Sequence, residues 1–211
     1  MSYPTTRLLL IRHGETSANV AGRMQGRGDD PLTERGQQQV RAIAERLKRE
    51  GHPITALYTS PLGRAQLTAD AIGEALGLTP RLRDGLQEIN LGSLEGASPA
   101  ELAAVIKAGP DSRYPDGESL REFVERTVGT MAGLVAAHPG ETIAVVTHGG
   151  VISNVLANWA DGYGRSWRDY VAHNCALSIV EFSAGPTIVC VNDCEHLPAA
   201  DDHWQEAKTQ S

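Results

Sequence analysis

The chain has 211 residues, of which 41% are hydrophobic, and it carries a formal net charge of −7 at pH 7. This length suits one α/β domain, so we predict a single domain over residues 1–211 that ends in a polar tail at about 199–211. An acidic balance argues against a nucleic-acid-binding surface, which needs a basic face, but it permits a local basic pocket for an anion.

No stretch is apolar for long enough to form a membrane helix, and charge interrupts the apolar run near the N-terminus before it resembles a signal peptide. Three cysteines are few and odd in number, which fits a reducing cytoplasm. Cys190 and Cys194 alternate with Ile188 and Asn192 at strand spacing, which accounts for them better than a zinc cluster with His196. We therefore expect a cytoplasmic protein with no metal site, no cofactor and no membrane or nucleic-acid partner.

The first predicted strand runs from about Arg7 to Arg12 and ends in a charged pair. The apolar run at 8–11 has the length of a buried strand, and Arg12 and His13 follow it directly. Such a pair is costly at the end of a buried strand unless it faces a cleft, and open α/β sheets bind ligands in that cleft. Because Gly14 lacks a Cβ, a ligand or a loop can approach the backbone closely. The stretch predicts an anion site that contains an imidazole.

Alternating helices and strands follow. Thr33 is predicted to cap a helix that ends near Gly51, and the second strand covers 56–59. A second helix is predicted to begin at Ser60 with Pro61 in its first position, and it ends at Gly77.

The second half of the chain continues the pattern. A short strand is predicted at 81–83, and helices are predicted at 98–108, 119–137 and 150–159. A hairpin around 184–186 closes the chain. Strands that alternate with helices predict a three-layer α/β/α sandwich with a mostly parallel sheet, to which the hairpin adds an antiparallel edge.

The predicted strand that ends at Thr147 repeats the first motif. It is apolar, and His148 and Gly149 follow it. Two strands that each deliver a histidine followed by a glycine could place two imidazoles at one edge of the sheet.

Four segments resemble the histidine phosphatase superfamily, the phosphoglycerate mutase-like group. They are RHGET at 12–16, SPLGRAQLTA at 60–69, QEINLGSLEG at 87–96 and THGG at 147–150. The segments occur in the order typical of the family, and the resemblance covers roughly residues 8–197. It implies the same α/β/α fold and a phosphomonoester hydrolase that acts on small phosphorylated metabolites through a phosphohistidine.

The resemblance also implies site roles. His13 is the residue that becomes phosphorylated, Arg12 and Arg64 bind the phosphoryl group, and Glu88 is the proton donor. The chemistry of these side chains is consistent with those roles, because guanidinium forks match phosphate and nearby arginines disfavour the imidazolium form of His13. Without a carboxylate-rich cluster beside them, the residues indicate a metal-independent phosphatase.

From the sequence alone, His148 could be the nucleophile or its helper, and the resemblance favours a phosphate-binding donor that stabilises the transition state. Asn19 matches a position that contacts the phosphoryl group. Weaker candidates for phosphate or substrate binding are Thr16, Gln25 and Gly149.

Two other functions remain open: a phosphoglycerate mutase that uses the same phosphohistidine, and an inactive protein that binds phosphorylated ligands. The stretch at 97–116 is short, and its only basic residues are Lys107 and Arg113, which favours the phosphatase over the mutase. The natural substrate and a homodimeric state are left undecided by the sequence.

Overall fold

In the computed structural model, which describes residues 4–162 and 166–197, the core is one six-stranded sheet. The strands are β1 (Thr6–Arg12), β2 (Ile54–Thr59), β3 (Arg81–Leu82), β4 (Thr142–Thr147), β5 (Leu177–Phe182) and β6 (Pro186–Asp193). Their order is β3-β2-β4-β1-β5-β6, with β3, β2, β4 and β1 parallel. The closing hairpin, β5 and β6, pairs antiparallel to β1 and within itself. This arrangement confirms a mostly parallel sheet with an antiparallel edge.

Helices cover both faces of the sheet. The helices of the described residues are α1 (Ser17–Val20), α2 (Glu34–Glu50), α3 (Gly63–Leu76), α4 (Pro99–Ala108), α5 (Leu120–Ala137) and α6 (Gly149–Asp161), and those that pack on the sheet are α2, α3, α5 and α6. Successive strand residues face opposite sides, so Leu8 and Leu10 pack with α5 and α6, whereas Leu9 and Ile11 pack with α2 and α3. The two cores confirm the predicted α/β/α layers. No helix in the described ranges combines the length and apolarity that crossing a membrane requires. The predicted polar tail at about 199–211 lies outside those ranges.

The boundaries of several helices follow from their caps. Thr33 accepts a hydrogen bond from the backbone N–H of Gly36 at 2.9 Å, and Gly51 ends α2 in a left-handed conformation. The prediction that the next helix starts at Ser60 with Pro61 in its first position is wrong. Ser60 donates its backbone N–H to Val146, which extends the strand pairing, and α3 begins only at Gly63.

The register of the sheet sets up the functional edge. Arg12 at the end of β1 lies opposite Thr147 at the end of β4, and the backbone N–H of His13 donates to Thr147 at 3.0 Å. His13 and His148 therefore leave neighbouring parallel strands at the same level. Ser60 leaves β2 on the other side of β4 at a similar level.

Two glycines allow α2 to pack directly against the loop that follows β1. A Cβ on Gly14 would lie 2.8 Å from both the carbonyl oxygen of Gly36 and Cγ2 of Val40. A Cβ on Gly36 would collide with the backbone of Glu15. The loop that carries His13 is therefore held by backbone-to-backbone contact with the first turn of α2.

This contact predicts that Gly36→Ala destabilises the protein, although alanine is normally the better helix former by about 1 kcal/mol. Overpacking of a tight contact should lower the free energy of unfolding by about 1–3 kcal/mol. Gly133→Ala in α5 is the control, because a Cβ there meets nothing within 4 Å. It should stabilise the protein by about 0.5–1 kcal/mol. Urea unfolding measures both, and equal stability of the two variants would contradict the packing argument.

Candidate active site

Two buried imidazoles lie side by side where β1 and β4 end. The ring centroids of His13 and His148 are 5.2 Å apart, and their exposed fractions are 3% and 0%. The expectation that two strands would bring two histidines to one sheet edge is met.

Hydrogen bonding selects the tautomer of His13. Its Nδ1 lies 2.8 Å from the carbonyl oxygen of Gly14, which can only accept, so Nδ1 carries the proton and Nε2 carries a lone pair. Nε of Arg64 donates to that Nε2 at 3.2 Å. Burial, followed by the charges of Arg12 and Arg64, holds the pKa of His13 well below its usual value. Nε2 is therefore unprotonated near neutral pH and can act as a nucleophile.

Arg64 comes from the first turn of α3 and is 2% exposed. Its Nη2 donates to the carbonyl of Gly26 at 2.7 Å, and its Nη1 donates to the carbonyl of Gly28. With Nε directed at His13, the plane of the guanidinium is fixed by three contacts.

Arg12 reaches into the same site from the end of β1. Its Nη1 donates to the carbonyl of Ala172 at 2.8 Å, whereas its buried Nε has no hydrogen-bond partner in 4–162 or 166–197. Burial lowers the pKa of Arg12 to about 10, so the group stays charged at neutral pH. Gly149 opens α6 beside it, and a Cβ there would lie 3.3 Å from Arg12 Nε.

His148 is oriented by Ser60, a residue to which the sequence analysis gave no site role. Nε2 of His148 lies 2.7 Å from the Ser60 hydroxyl, which also accepts the backbone N–H of Leu62 at 3.3 Å. Nδ1 of His148 is buried and has no partner in the part of the chain that the structure describes. Burial, followed by the charge of Arg64, places the pKa of His148 well below its usual value.

The carboxyl group of Glu88 is buried near Arg12 and Arg64. Its two oxygens accept the backbone N–H groups of Ile89 at 2.9 Å and of Gly150 at 2.8 Å, the latter in the first turn of α6. These bonds and the nearby arginines favour the carboxylate, but burial outweighs them and raises the pKa of Glu88. A raised pKa suits a carboxyl group to the delivery and recovery of a proton.

The loop that carries Glu88 is held from α5. Arg126 donates to the carbonyls of Gly85 at 3.1 Å and Gln87 at 3.0 Å, and its guanidinium pairs with Glu118 at 2.6 Å. Neither charged residue was singled out from the sequence, where Glu118 is an ordinary charge before a helix and Arg126 an ordinary charge within it.

Asn19 is fixed by two contacts to its Oδ1. These come from the backbone N–H of Thr16 at 3.1 Å and from Nδ2 of Asn174 at 3.1 Å. Asn174 is buried and also donates to the carbonyl of His13 at 3.0 Å. Nothing in the sequence marked Asn174 as a site residue, because an asparagine in a turn before a strand is common.

Thr16 and Gln25 contact each other. The Thr16 hydroxyl donates to Oε1 of Gln25 at 2.9 Å, and the Gln25 amide donates to Asp30 at 3.2 Å. Thr16 also caps α1, a short helix that the sequence analysis did not predict. These contacts brace the loop beside the site, and a direct role of either residue toward a ligand stays a prediction.

The basic residues of the 97–116 stretch lie on the surface. Lys107 is exposed on α4, and Arg113 pairs with Glu122 and donates to the carbonyl of Gly117 at 2.8 Å. Among the described residues, no group of three or more His, Cys, Asp or Glu side chains could hold a metal ion. His196, considered with the cysteines, instead contacts Arg46 at 3.0 Å and the carbonyl of Cys175 at 2.9 Å.

The site therefore combines an unprotonated nitrogen, two guanidinium groups, a second imidazole and a carboxyl group with a raised pKa. Planar guanidinium forks and N–H donors are suited to an anion whose charge is spread over several oxygens.

Comparison with known proteins places these residues in a family. A family model described as the histidine phosphatase superfamily (branch 1) matches residues 8–194. The "Probable phosphoglycerate mutase GpmB" of Cronobacter sakazakii is 32% identical over 212 residues, which cover 93% of this chain and 98% of that protein.

Solved structures are similar as well. The phosphoserine phosphatase of Entamoeba histolytica in complex with 3-phosphoglyceric acid is 29% identical, with a TM-score of 0.81 and coverage of 92% of this chain and 100% of that one. The alpha-ribazole phosphatase of Shigella flexneri is 26% identical, with a TM-score of 0.79 and coverage of 93% and 100%.

Proposed function

We propose, from the premise that this chain belongs to the histidine phosphatase superfamily (branch 1), that it hydrolyses phosphomonoesters of small metabolites through a phosphohistidine on His13. One observation carries the proposal: in the site that holds the unprotonated Nε2 of His13, the buried nitrogens Arg12 Nε and His148 Nδ1 have no hydrogen-bond partner among the described residues. Buried polar groups are normally hydrogen-bonded, so unpaired donors around a nucleophile point to an anionic ligand. A phosphoryl group matches both the donors and the nucleophile.

In the first step, Nε2 of His13 attacks phosphorus as the bond from phosphorus to the ester oxygen breaks. The Nε–H of Arg64 donates to Nε2 of His13 in the structure, and in this step it donates to a phosphoryl oxygen instead. The protonated carboxyl group of Glu88 gives its proton to the leaving oxygen, which departs as an alcohol. The ring becomes cationic on phosphorylation, and the Nδ1–H bond to Gly14 stabilises this charge.

In the second step, the Glu88 carboxylate takes a proton from water as the water oxygen attacks phosphorus. The bond between phosphorus and Nε2 breaks, the electron pair returns to His13, and inorganic phosphate leaves. His148 donates from Nδ1 to the phosphoryl group in both steps. The Ser60 hydroxyl favours this tautomer, because it accepts from Leu62 and has its own hydrogen available for Nε2 of His148.

We propose that the reaction needs no metal ion. Phosphoryl transfer requires neutralisation of the charge on the equatorial oxygens. Arg12 and Arg64 supply two buried positive charges, and most of their observed partners are uncharged carbonyl groups. Their charge is therefore available to the substrate.

The alternative activity is that of a phosphoglycerate mutase, and the name of the Cronobacter sakazakii relative favours it. A mutase must keep water away from the phosphohistidine and hold a bisphosphorylated intermediate. Arg113 is paired with Glu122, and Lys107 is exposed on α4, so the 97–116 stretch adds little positive charge to the cleft. The phosphatases among the similar structures support hydrolysis as the main activity.

The first test is the covalent intermediate. On rapid mixing with a phosphomonoester in the presence of EDTA, acid-labile and alkali-stable phosphate should form, and mass spectrometry should locate it on His13. His13→Ala should abolish the label. Label on His148 would reverse the two roles, and loss of activity with EDTA that a divalent ion restores would refute metal independence.

The second test concerns the acid. Glu88→Gln should slow hydrolysis of an alkyl phosphate by about a hundredfold to ten-thousandfold, since an alkoxide leaves poorly without a proton. Hydrolysis of p-nitrophenyl phosphate should suffer far less, because its phenolate leaves unaided. Measurements of kcat on both substrates decide the point, and equal losses would mean that Glu88 only shapes the pocket.

The third test separates the phosphatase from the mutase. With 3-phosphoglycerate as substrate and 2,3-bisphosphoglycerate supplied, we expect phosphate release with little 2-phosphoglycerate. One assay that follows both products provides the measurement. Isomerisation that outpaces phosphate release by about tenfold, roughly 1.4 kcal/mol in relative barrier, would assign the protein to the mutases.

A further inference from the structure

Glu95 is a carboxylate outside the proposed catalytic set that makes an unusual number of backbone contacts. It follows a short 3-10 turn, and its oxygens accept the backbone N–H groups of Arg27 at 2.9 Å, Gly28 at 3.1 Å and Leu91 at 3.2 Å. A carboxylate only accepts hydrogen bonds, so it suits three converging N–H groups. Glu95 thereby ties the loop at 26–28 to the segment that carries Glu88.

The same loop holds Arg64 from its other side. The backbone N–H groups of Arg27 and Gly28 bind Glu95. The carbonyls of Gly26 and Gly28 accept hydrogen bonds from the two terminal nitrogens of Arg64. Gly26 has a positive φ of 51°, and a Cβ there would lie 2.5 Å from Oε2 of Glu95. The carboxylate therefore packs directly against the loop backbone, which leaves no room for a side chain.

We propose that Glu95 is a positioning residue that acts on His13 and on the phosphoryl group through Arg64. It fixes the loop at 26–28, the two carbonyls of the loop fix the plane of the guanidinium, and the guanidinium directs Nε toward Nε2 of His13. The proposal rests on the proposed phosphatase activity and names a residue on which that site depends. A purely structural role, in which Glu95 only joins two loops, would leave the arginine in place.

The charge of Glu95 also matters for this role. Burial lowers the pKa of Arg64, and the negative charges of Glu88, Asp29 and then Glu95 act against it and favour the guanidinium form. Glutamine at position 95 would keep the shape of the side chain but would present an amide N–H₂ group to at least one backbone N–H. We therefore expect Glu95→Gln to loosen the loop and release Arg64.

The experiment compares Glu95→Gln with Glu101→Gln, whose carboxylate lies six residues further on, in the first turn of α4, and accepts hydrogen bonds from the backbone N–H and the hydroxyl of Ser98. In Glu95→Gln, kcat/KM should fall by about 10- to 100-fold, since a small misplacement of a positioning group can cost about 100-fold. The loss should be equal for p-nitrophenyl phosphate and an alkyl phosphate, because both need Arg64. The control should stay close to wild type. A loss confined to the alkyl phosphate would show that Glu95 acts through Glu88 and would overturn the proposal.

The pH profile gives a second readout. Arg64 helps to hold the pKa of His13 low, so its release should move the acid limb of kcat/KM to higher pH. Gly26→Ala, which forces a Cβ against the same carboxylate, should shift the limb in the same direction. An unchanged limb in both variants would contradict the proposal.

A double-mutant cycle completes the test. When Glu95→Gln is added to Arg64→Met, the double variant should have nearly the same kcat/KM as Arg64→Met alone. Its affinity for vanadate, measured by calorimetry, should also be nearly the same. A full, additive loss would mean that Glu95 acts independently of Arg64. If wild type binds vanadate but hydrolyses no phosphomonoester, the proposed activity fails, whereas the vanadate cycle still decides the role of Glu95.

Discussion

The site depends on one electrostatic constraint: two charged guanidinium groups are buried beside an imidazole that must stay neutral. Arginine cannot lose its charge at neutral pH, and burial lowers the pKa of Arg12 only to about 10. The histidine gives way instead, and the pKa of His13 falls well below its usual value. Burial of the imidazole itself lowers this pKa most, and the charges of Arg12 and Arg64 lower it further, so the nucleophile stays unprotonated.

The choice of partners preserves that charge for a ligand. Arg12 and Arg64 donate mainly to backbone carbonyls, at Ala172, Gly26 and Gly28. Carbonyls orient a guanidinium without cancelling its charge, whereas a carboxylate in direct contact would compete with phosphate. Glu95 contributes its negative charge one step away, through the N–H groups of the loop and not through the arginine itself. The loop at 26–28 therefore orients the guanidinium of Arg64 without placing a carboxylate in direct contact with it.

Local patterns explain which parts of this arrangement could be predicted from the sequence. An apolar run that ends in a histidine and a glycine appears twice, and parallel strands carry His13 and His148 to one edge, so their meeting follows from the pattern. Ser60, Asn174 and Glu95 gave no such signal. Their roles arise only when distant segments pack together, as when Ser60 reaches His148 and Asn174 reaches the carbonyl of His13. The late start of α3 also arises from packing between distant segments, because the backbone N–H of Ser60 bonds to Val146 of β4 and so keeps Ser60 out of the helix.

The segment that follows Glu88 packs through a hydrophobic cluster that is separate from the strand ends. Leu91, Leu102 and Tyr114 form a small cluster of their own, apart from the two cores that flank the sheet. It is linked to its surroundings by Ile89, which packs against this cluster and against the core under α5 and α6, and by the bonds that the backbone N–H groups of Leu91 and Arg27 donate to the Glu95 carboxylate. The side chains of this cluster are therefore distinct from those that orient Arg12, Arg64 and the histidines.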